Sequence, residues 1–208
     1  MINYSPSKQA CPTSPVAKPY DRRKALKAIG TGLITAPIIL KTSIVNSAVN
    51  SGVPFIDLKS DAEHRVLNLF NSNTREHIST AYWKNGQYDS KSLSHFDYLM
   101  RDHRAGESRP IATKIFDLLY AIQKKFGDRE LHIVSGYRTE ETNNMLRRRS
   151  RGVAKQSYHI RGMAVDMRIP GIPTKKIRHF AQSQRVGGVG WYPRSGFVHL
   201  DTGPVRYW

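Results

Sequence analysis

At 208 residues the chain has room for one domain of ordinary size, and a composition 39% hydrophobic and 24% charged excludes an intrinsically disordered protein. Its 33 Lys/Arg against 16 Asp/Glu give a formal net charge of +17, which calls for polyanionic surroundings: nucleic acid, anionic lipid or an anionic cell wall. The single cysteine, Cys11, excludes a disulfide framework and leaves only nitrogen and oxygen to hold any metal in the rest of the chain.

The first fifty residues read differently from the remainder. Asp21-Arg22-Arg23-Lys24-Ala25-Leu26-Lys27 is a twin-arginine pattern, followed by a weakly apolar stretch of thirteen residues over 28–40. A bilayer-spanning helix needs about 20 residues, so this length suits the apolar region of an export signal instead. A short buried helix with a basic cap is the competing reading. The expectation is a leader over 1–50 that hands the protein to the twin-arginine export machinery and so to the periplasm. Cleavage near Ser47-Ala48 and retention of the leader as an anchor are both open. A folded domain then occupies 51–208. The leader holds seven Lys/Arg and one Asp, so the domain alone still carries +11.

Within the domain, residues 65–71 and 76–84 alternate as strands around the turn-rich Asn71-Ser72-Asn73-Thr74, which predicts a hairpin. Asn85-Gly86 marks another turn. Residues 89–101 predict a helix with Leu93, Phe96 and Met100 on one face; His95 and His103, in or beside it, are surface or structural. Residues 110 to about 126 predict the main core helix, opened by Pro110, striped by Ile111, Ile115, Leu118, Leu119, Ile122 and Phe126, and ended by Gly127. Leu131–Ser135 is a buried strand, and Thr139 caps a helix that carries Asn143, Asn144, Met145 and Leu146. Arg147-Arg148-Arg149-Ser150-Arg151 is the densest basic run. It reads either as a solvated helix end favoured by the C-terminal dipole or as a patch drawn to the anionic wall or membrane. Residues 163–169 form a strand, Thr174–Ser183 the last helix, Gly187-Gly188-Val189-Gly190 a return to the sheet, and 197–202 a final strand. The sum is an α+β domain with a small, mostly antiparallel sheet and helices packed on one side.

The chemistry concentrates in the last fifty residues, in Ser157-Tyr158-His159-Ile160-Arg161-Gly162-Met163-Ala164-Val165-Asp166 and Phe197-Val198-His199-Leu200-Asp201. A catalytic zinc takes three protein ligands and keeps one position open; His159, Asp166 and His199 fit that count. Gly162 lets the chain turn tightly after His159. In the strand over 163–169, Ala164, Asp166 and Arg168 share one face and Met163, Val165, Met167 and Ile169 the other, so Asp166 leaves the apolar side. His199 and Asp201, two apart, leave one face of their strand. If the two strands are neighbours, the three ligands converge. A lone strand histidine is most often an ordinary hydrogen-bonded residue; the pairing of H-x6-D with V-H-x-D is what points to a metal.

These motifs, with Ser135-Gly136-Tyr137-Arg138 upstream, resemble those of the zinc D,D-peptidases of peptidoglycan. That family includes D-Ala-D-Ala carboxypeptidases and VanX-type dipeptidases and shares its fold with lysostaphin and the hedgehog signalling domain. The resemblance is closer still to the MepK (YcbK-like) murein endopeptidases. It rests on Ile133-Val134-Ser135-Gly136-Tyr137-Arg138, Arg149-Ser150-Arg151-Gly152-Val153-Ala154-Lys155, Gly187-Gly188-Val189-Gly190 and Tyr192-Pro193-Arg194-Ser195-Gly196-Phe197-Val198-His199, and covers roughly 51–208.

The resemblance implies a hedgehog/D,D-peptidase-like fold and one Zn2+ per chain on His159, Asp166 and His199. It further implies an Arg138 that binds the substrate carbonyl or stabilises the oxyanion, and substrate-binding positions at Ser157, Asn143 and Tyr137. The sequence departs from the wider family at Gly196, where an acid often stands three residues before the final histidine. Asp201 then acts either as the general base from the other side or as the partner that orients His199. Trp191 and Tyr192 wall the cleft or pack in the core. The expected function is an exported zinc metallopeptidase that cuts peptidoglycan cross-links as a D,D- or L,D-endopeptidase. The alternatives are a D,D-carboxypeptidase or dipeptidase on stem-peptide termini, and a non-catalytic zinc-containing wall-binding module. The expected partners are stem peptides and their cross-links, with electrostatic contact to the anionic wall or membrane and no nucleic acid, for which no recognised module is present.

Overall fold

In the computed structural model, which describes residues 63–150 and 152–208, the core begins with the alternation of the first strand. β1 (His64–Asn71) buries Leu67 and Leu69 and pairs antiparallel with β2 (His77–Lys84), with Leu69 opposite Ile78. This is the predicted hairpin. β3 (Gln87–Tyr88) folds back on the end of β2. The leader, its twin arginines and Arg151 lie outside the described residues.

α1 (Ser90–Leu99) starts where Asp89 accepts a hydrogen bond from the Ser92 N–H, and it buries Leu93, Phe96 and Leu99. His95 on its outer side is exposed. The Ser92 N–H and the Lys84 ammonium at 2.9 Å hold the Asp89 carboxyl down to about 2, from an ordinary 3.8. A carboxyl depressed on folding contributes stability that is complete above its unfolded pKa and is lost as pH falls through the folded one. Asp89→Ala is therefore expected to cost about 1 kcal/mol near neutral pH. The urea midpoints of variant and wild type should converge between pH 4 and pH 2; a constant gap across that range would remove the charged cap from this account.

α2 (Thr113–Lys125) is the central core helix, burying Ile115, Phe116, Leu118, Leu119 and Ile122. It begins three residues later than expected. Residues 110–112 stay extended because their amides are used elsewhere: Ile111 N–H donates to Asp97 Oδ1 at 2.9 Å and Ala112 N–H to the Gly162 carbonyl at 2.8 Å. β4 (Leu131–Ser135) then pairs parallel with β1. α3 (Glu140–Arg149) is capped by Thr139 as predicted and ends on Arg147, Arg148 and Arg149, which complement its C-terminal dipole.

A single 3-10 turn (Tyr158–Arg161) leads into β5 (Ala164–Arg168). After it come α4 (Thr174–Ser183), β6 (Gly188–Tyr192), β7 (Phe197–Asp201) and β8 (Arg206–Tyr207). The strands form one sheet in the order β3-β2-β1-β4-β5-β7-β6-β8. The expectation of a small, mostly antiparallel sheet is corrected: the sheet has eight strands and is mixed, since β1 pairs parallel with β4 and β6 with β8. The first parallel pair arises because α1 and α2 form the long crossover that such a pair needs. β3 and β8 are two residues each, too short to show any periodicity.

α1 packs on β2, α2 on β1, and α4 on β6 and β7, with α2 touching α4. Their apolar faces join Leu67, Leu69, Val165, Met167, Val189, Val198 and Leu200 in one cluster. Each such large side chain removed from water contributes about 1.5–3 kcal/mol. The alternation of β5 and β7 sends Asp166, His199 and Asp201 to the opposite face of the sheet. Among the described residues no helix is long and apolar enough to cross a membrane.

Candidate metal centre

Antiparallel pairing of β5 with β7 sets Asp166 directly across from His199 and Ala164 across from Asp201. His159 arrives from the 3-10 turn, where Ser157 Oγ accepts from the His159 N–H at 3.3 Å. Gly162 ends that turn in the left-handed region, at φ 65°. A Cβ there would sit 2.3 Å from the Pro110 carbonyl oxygen. Gly162→Ala is expected to cost about 3 kcal/mol, from left-handed strain and overpacking together. It should also weaken metal binding, because the displaced turn carries His159; a variant as stable as wild type in thermal melts would refute the argument.

His159 Nε2, Asp166 Oδ1 and His199 Nδ1 face one another at 3.2 Å, 3.2 Å and 2.8 Å. Ligand atoms about 2.0–2.1 Å from a tetrahedral zinc stand about 3.3–3.4 Å apart, so the spacing fits a small divalent ion with little adjustment. The outer nitrogens are already committed. His159 Nδ1–H donates to the Gly136 carbonyl at 2.7 Å, and His199 Nε2–H to Asp201 Oδ2 at 3.1 Å. Both partners only accept, so each imidazole, once neutral, turns a lone pair inward, the arrangement that metal-binding histidines adopt. Among the described residues this is the one group of His, Cys, Asp or Glu near enough to share an ion.

The electrostatics agree. Burial pulls His159 below its ordinary pKa. Burial alone would raise Asp166, but both imidazoles and Arg138 outweigh it and hold the carboxylate well below the usual range. Burial likewise opposes a charge on His199, yet hydrogen bonds from that ring to Asp166 and Asp201 push it up to about 9. The field that retains a proton there is the field a cation would enter, displacing that proton.

Asp201 is fully buried behind His199, away from the three converging atoms. Its Oδ1 accepts from Gly188 N–H (3.1 Å), Gly203 N–H (2.8 Å) and Arg206 Nη1 (3.1 Å), and its Oδ2 from Arg206 Nη2 at 2.7 Å as well as from His199. Arg138 Nη2 donates to Asp166 Oδ2 at 2.5 Å and its Nε to Ser135 Oγ at 2.8 Å, so the arginine supports the outer oxygen of that carboxylate while still facing the cleft. Trp208 lies across Gly190, whose missing side chain makes the room, and its ring centroid is 5.4 Å from that of His199.

The three convergent residues open onto a cleft of about 350 Å³. It crosses the sheet in strand order, from Asn73, Val134 and Ser135 beside β4, over Asp166 and His199, to Phe197 and Tyr192 on the β6–β7 hairpin. Ser157 and Arg138 line it; Tyr137 and Asn143 do not. Tyr137 packs against the core, and Asn143, fully buried in α3, donates through Nδ2 to the carbonyl of the cleft residue Ala154 at 3.1 Å. Tyr192 stacks on Phe197 at the cleft, whereas Trp191 packs into the core. Arg104, Arg206 and Trp208 belong to this region and carry no signal in the sequence, because no motif includes them.

Comparison with known proteins gives a consistent result. The family model described as peptidoglycan L,D-endopeptidase MepK matches residues 59–208. The chain is 42% identical over 187 residues to the peptidoglycan L,D-endopeptidase MepK of Escherichia coli (strain K12), covering 89% of this chain and 96% of that protein. It is 45% identical over 151 residues to the probable peptidoglycan L,D-endopeptidase MepK of Haemophilus influenzae, covering 72% and 81%. No solved structure matches the chain.

Proposed function

The chain belongs to the family of peptidoglycan L,D-endopeptidase MepK, and from that membership we propose that it is a zinc metallopeptidase that hydrolyses peptide cross-links of bacterial peptidoglycan. The observation that carries the zinc reading is the convergence of His159 Nε2, Asp166 Oδ1 and His199 Nδ1 with both outer imidazole nitrogens already engaged. Imidazole and carboxylate donors suit zinc among the divalent ions. When bound, such an ion supplies Lewis acidity to a carbonyl and makes a water more acidic.

The protein's own groups divide the remaining work. Arg138 fixes the outer oxygen of Asp166 and presents its guanidinium to a substrate carbonyl. Ser157 holds the turn of His159 and offers its hydroxyl to the cleft. Of the two roles open to Asp201, orientation of His199 is favoured, because the carboxylate is fully buried and its oxygens are filled by five donors. We read the sheet as of the D,D-peptidase type, with the site on the face turned away from α2 and α4 and flanked by α3, whose Leu146 lines the cleft. The twin-arginine leader would deliver the protein to the periplasm, where the +11 domain and its Arg147–Arg149 run meet an anionic wall.

The test is a digest of purified sacculi by the zinc-loaded protein beside its chelator-stripped form, with muropeptides separated and weighed. Loss of L,D-cross-linked dimers only with metal is expected. Shortened monomers beside intact dimers would replace the proposal with a carboxypeptidase, and no change from a folded, zinc-bound protein would replace it with a binding module.

A further inference from the structure

Among the described residues, the cleft lining holds two arginines, Arg104 and Arg138, and one carboxylate, Asp166. Arg138 is neutralised by Asp166. Arg104 is not neutralised: it is exposed, and among the described residues its guanidinium makes no hydrogen bond or ion pair. Arg138, by contrast, gives its Nη2 to Asp166 and its Nε to Ser135. The loop that carries Arg104 is also held in place from below. Asp102, nearly fully buried, accepts from the N–H of Arg104 at 3.0 Å and of Ala105 at 3.4 Å through one oxygen. Its other oxygen takes the Thr139 N–H at 2.9 Å and the Thr139 hydroxyl at 3.1 Å. The backbone of Arg104 is thereby tied to the start of α3, one residue past Arg138.

From this we infer that Arg104 is a carboxylate-binding residue that selects stem peptides by a free carboxylate beside the scissile bond; the inference rests on the peptidase reading above. A substrate laid across the sheet with its bond at the metal centre sends one arm toward Arg104 and Asn73 and the other toward the stacked Tyr192 and Phe197. An L,D cross-link joins two diamino-acid-bearing stems and leaves a free carboxylate on the amine side of the bond. A planar guanidinium with its donors unfilled matches that group in charge and geometry.

The experiment measures kcat and KM of the zinc-loaded protein on two synthetic L,D-cross-linked dimers, one with free carboxylates and one with them amidated. Arg104→Gln is expected to raise KM about 10- to 100-fold on the free substrate, to leave kcat and metal content unchanged, and to make no difference on the amidated one. Arg104→Lys, which keeps a point charge, should fall between. Raised salt should weaken wild type toward the variant. Equal KM for wild type and Arg104→Gln on both substrates overturns the inference and leaves the peptidase intact, as does an equal loss on both. Failure of the folded, zinc-loaded wild type to cut either dimer overturns the peptidase reading and this inference with it.

Discussion

Exchange of His159 for alanine is expected to remove bound metal and hydrolysis together. His159 contributes one of three inward donor atoms, and its other nitrogen is fixed on the Gly136 carbonyl. Without the ring, Asp166 and His199 retain each other at 2.8 Å but offer a two-ligand site. Three protein ligands are the usual complement of a catalytic zinc, so metal content by mass spectrometry should fall from about one ion per chain to a small fraction. Release of cross-linked muropeptides should fall by about three orders of magnitude or more, since the Lewis acid and the acidified water are lost at once. Far-UV circular dichroism should stay unchanged, because His159 lies on a short turn and not in the apolar cluster. A metal-free His159→Ala protein that still cleaved sacculi would end the metallopeptidase reading.

The second large effect separates the two roles of Asp201. Every contact to its carboxylate is a donor: two backbone amides, the Arg206 guanidinium and the His199 ring. Burial alone would raise its pKa, but these hydrogen bonds hold it well below the usual carboxylate range. Asp201→Asn must point an NH2 group at one set of donors, whichever way the amide is turned. Leaving buried donors without an acceptor costs about 1–3 kcal/mol, and losing the outer partner of a ligating histidine costs about 10- to 100-fold in metal affinity. Asp201→Asn is therefore expected to melt earlier and bind metal more weakly. Yet at saturating metal its kcat should stay within a few-fold of wild type. A general base would instead show a kcat loss of about 100- to 10,000-fold with metal bound. That result would return Asp201 to the reaction itself.

Much of the site is legible in the residues alone. Alternation puts Asp166 away from Val165 and Met167, and spacing puts His199 and Asp201 on one face, because strand geometry is local and has period two. Gly162 announces a tight turn for the same reason: a left-handed residue is a property of its own backbone. The hairpin, the capping Thr139 and the striped α2 are equally local. The departures are all non-local. Periodicity starts α2 at Pro110, but Ile111 and Ala112 give their amides to Asp97 and Gly162, residues far along the chain. Pattern suggests a small, mostly antiparallel sheet, but strand partners are chosen by packing across the whole domain, and two-residue strands leave no pattern to read.

The division follows from range. Neighbours within a few positions settle which residues can ligate a metal, which way each faces and where the chain turns, so those features can be read from the amino-acid order. Long-range packing alone lays β5 against β7 with Asp166 opposite His199, and makes Gly136 supply the carbonyl that orients His159. It also brings Arg206 back to seal Asp201 and sets Arg104 in the lining of the cleft. Each of these is a relation between segments far apart in the chain, fixed by burial of a common apolar face that no single segment can complete alone.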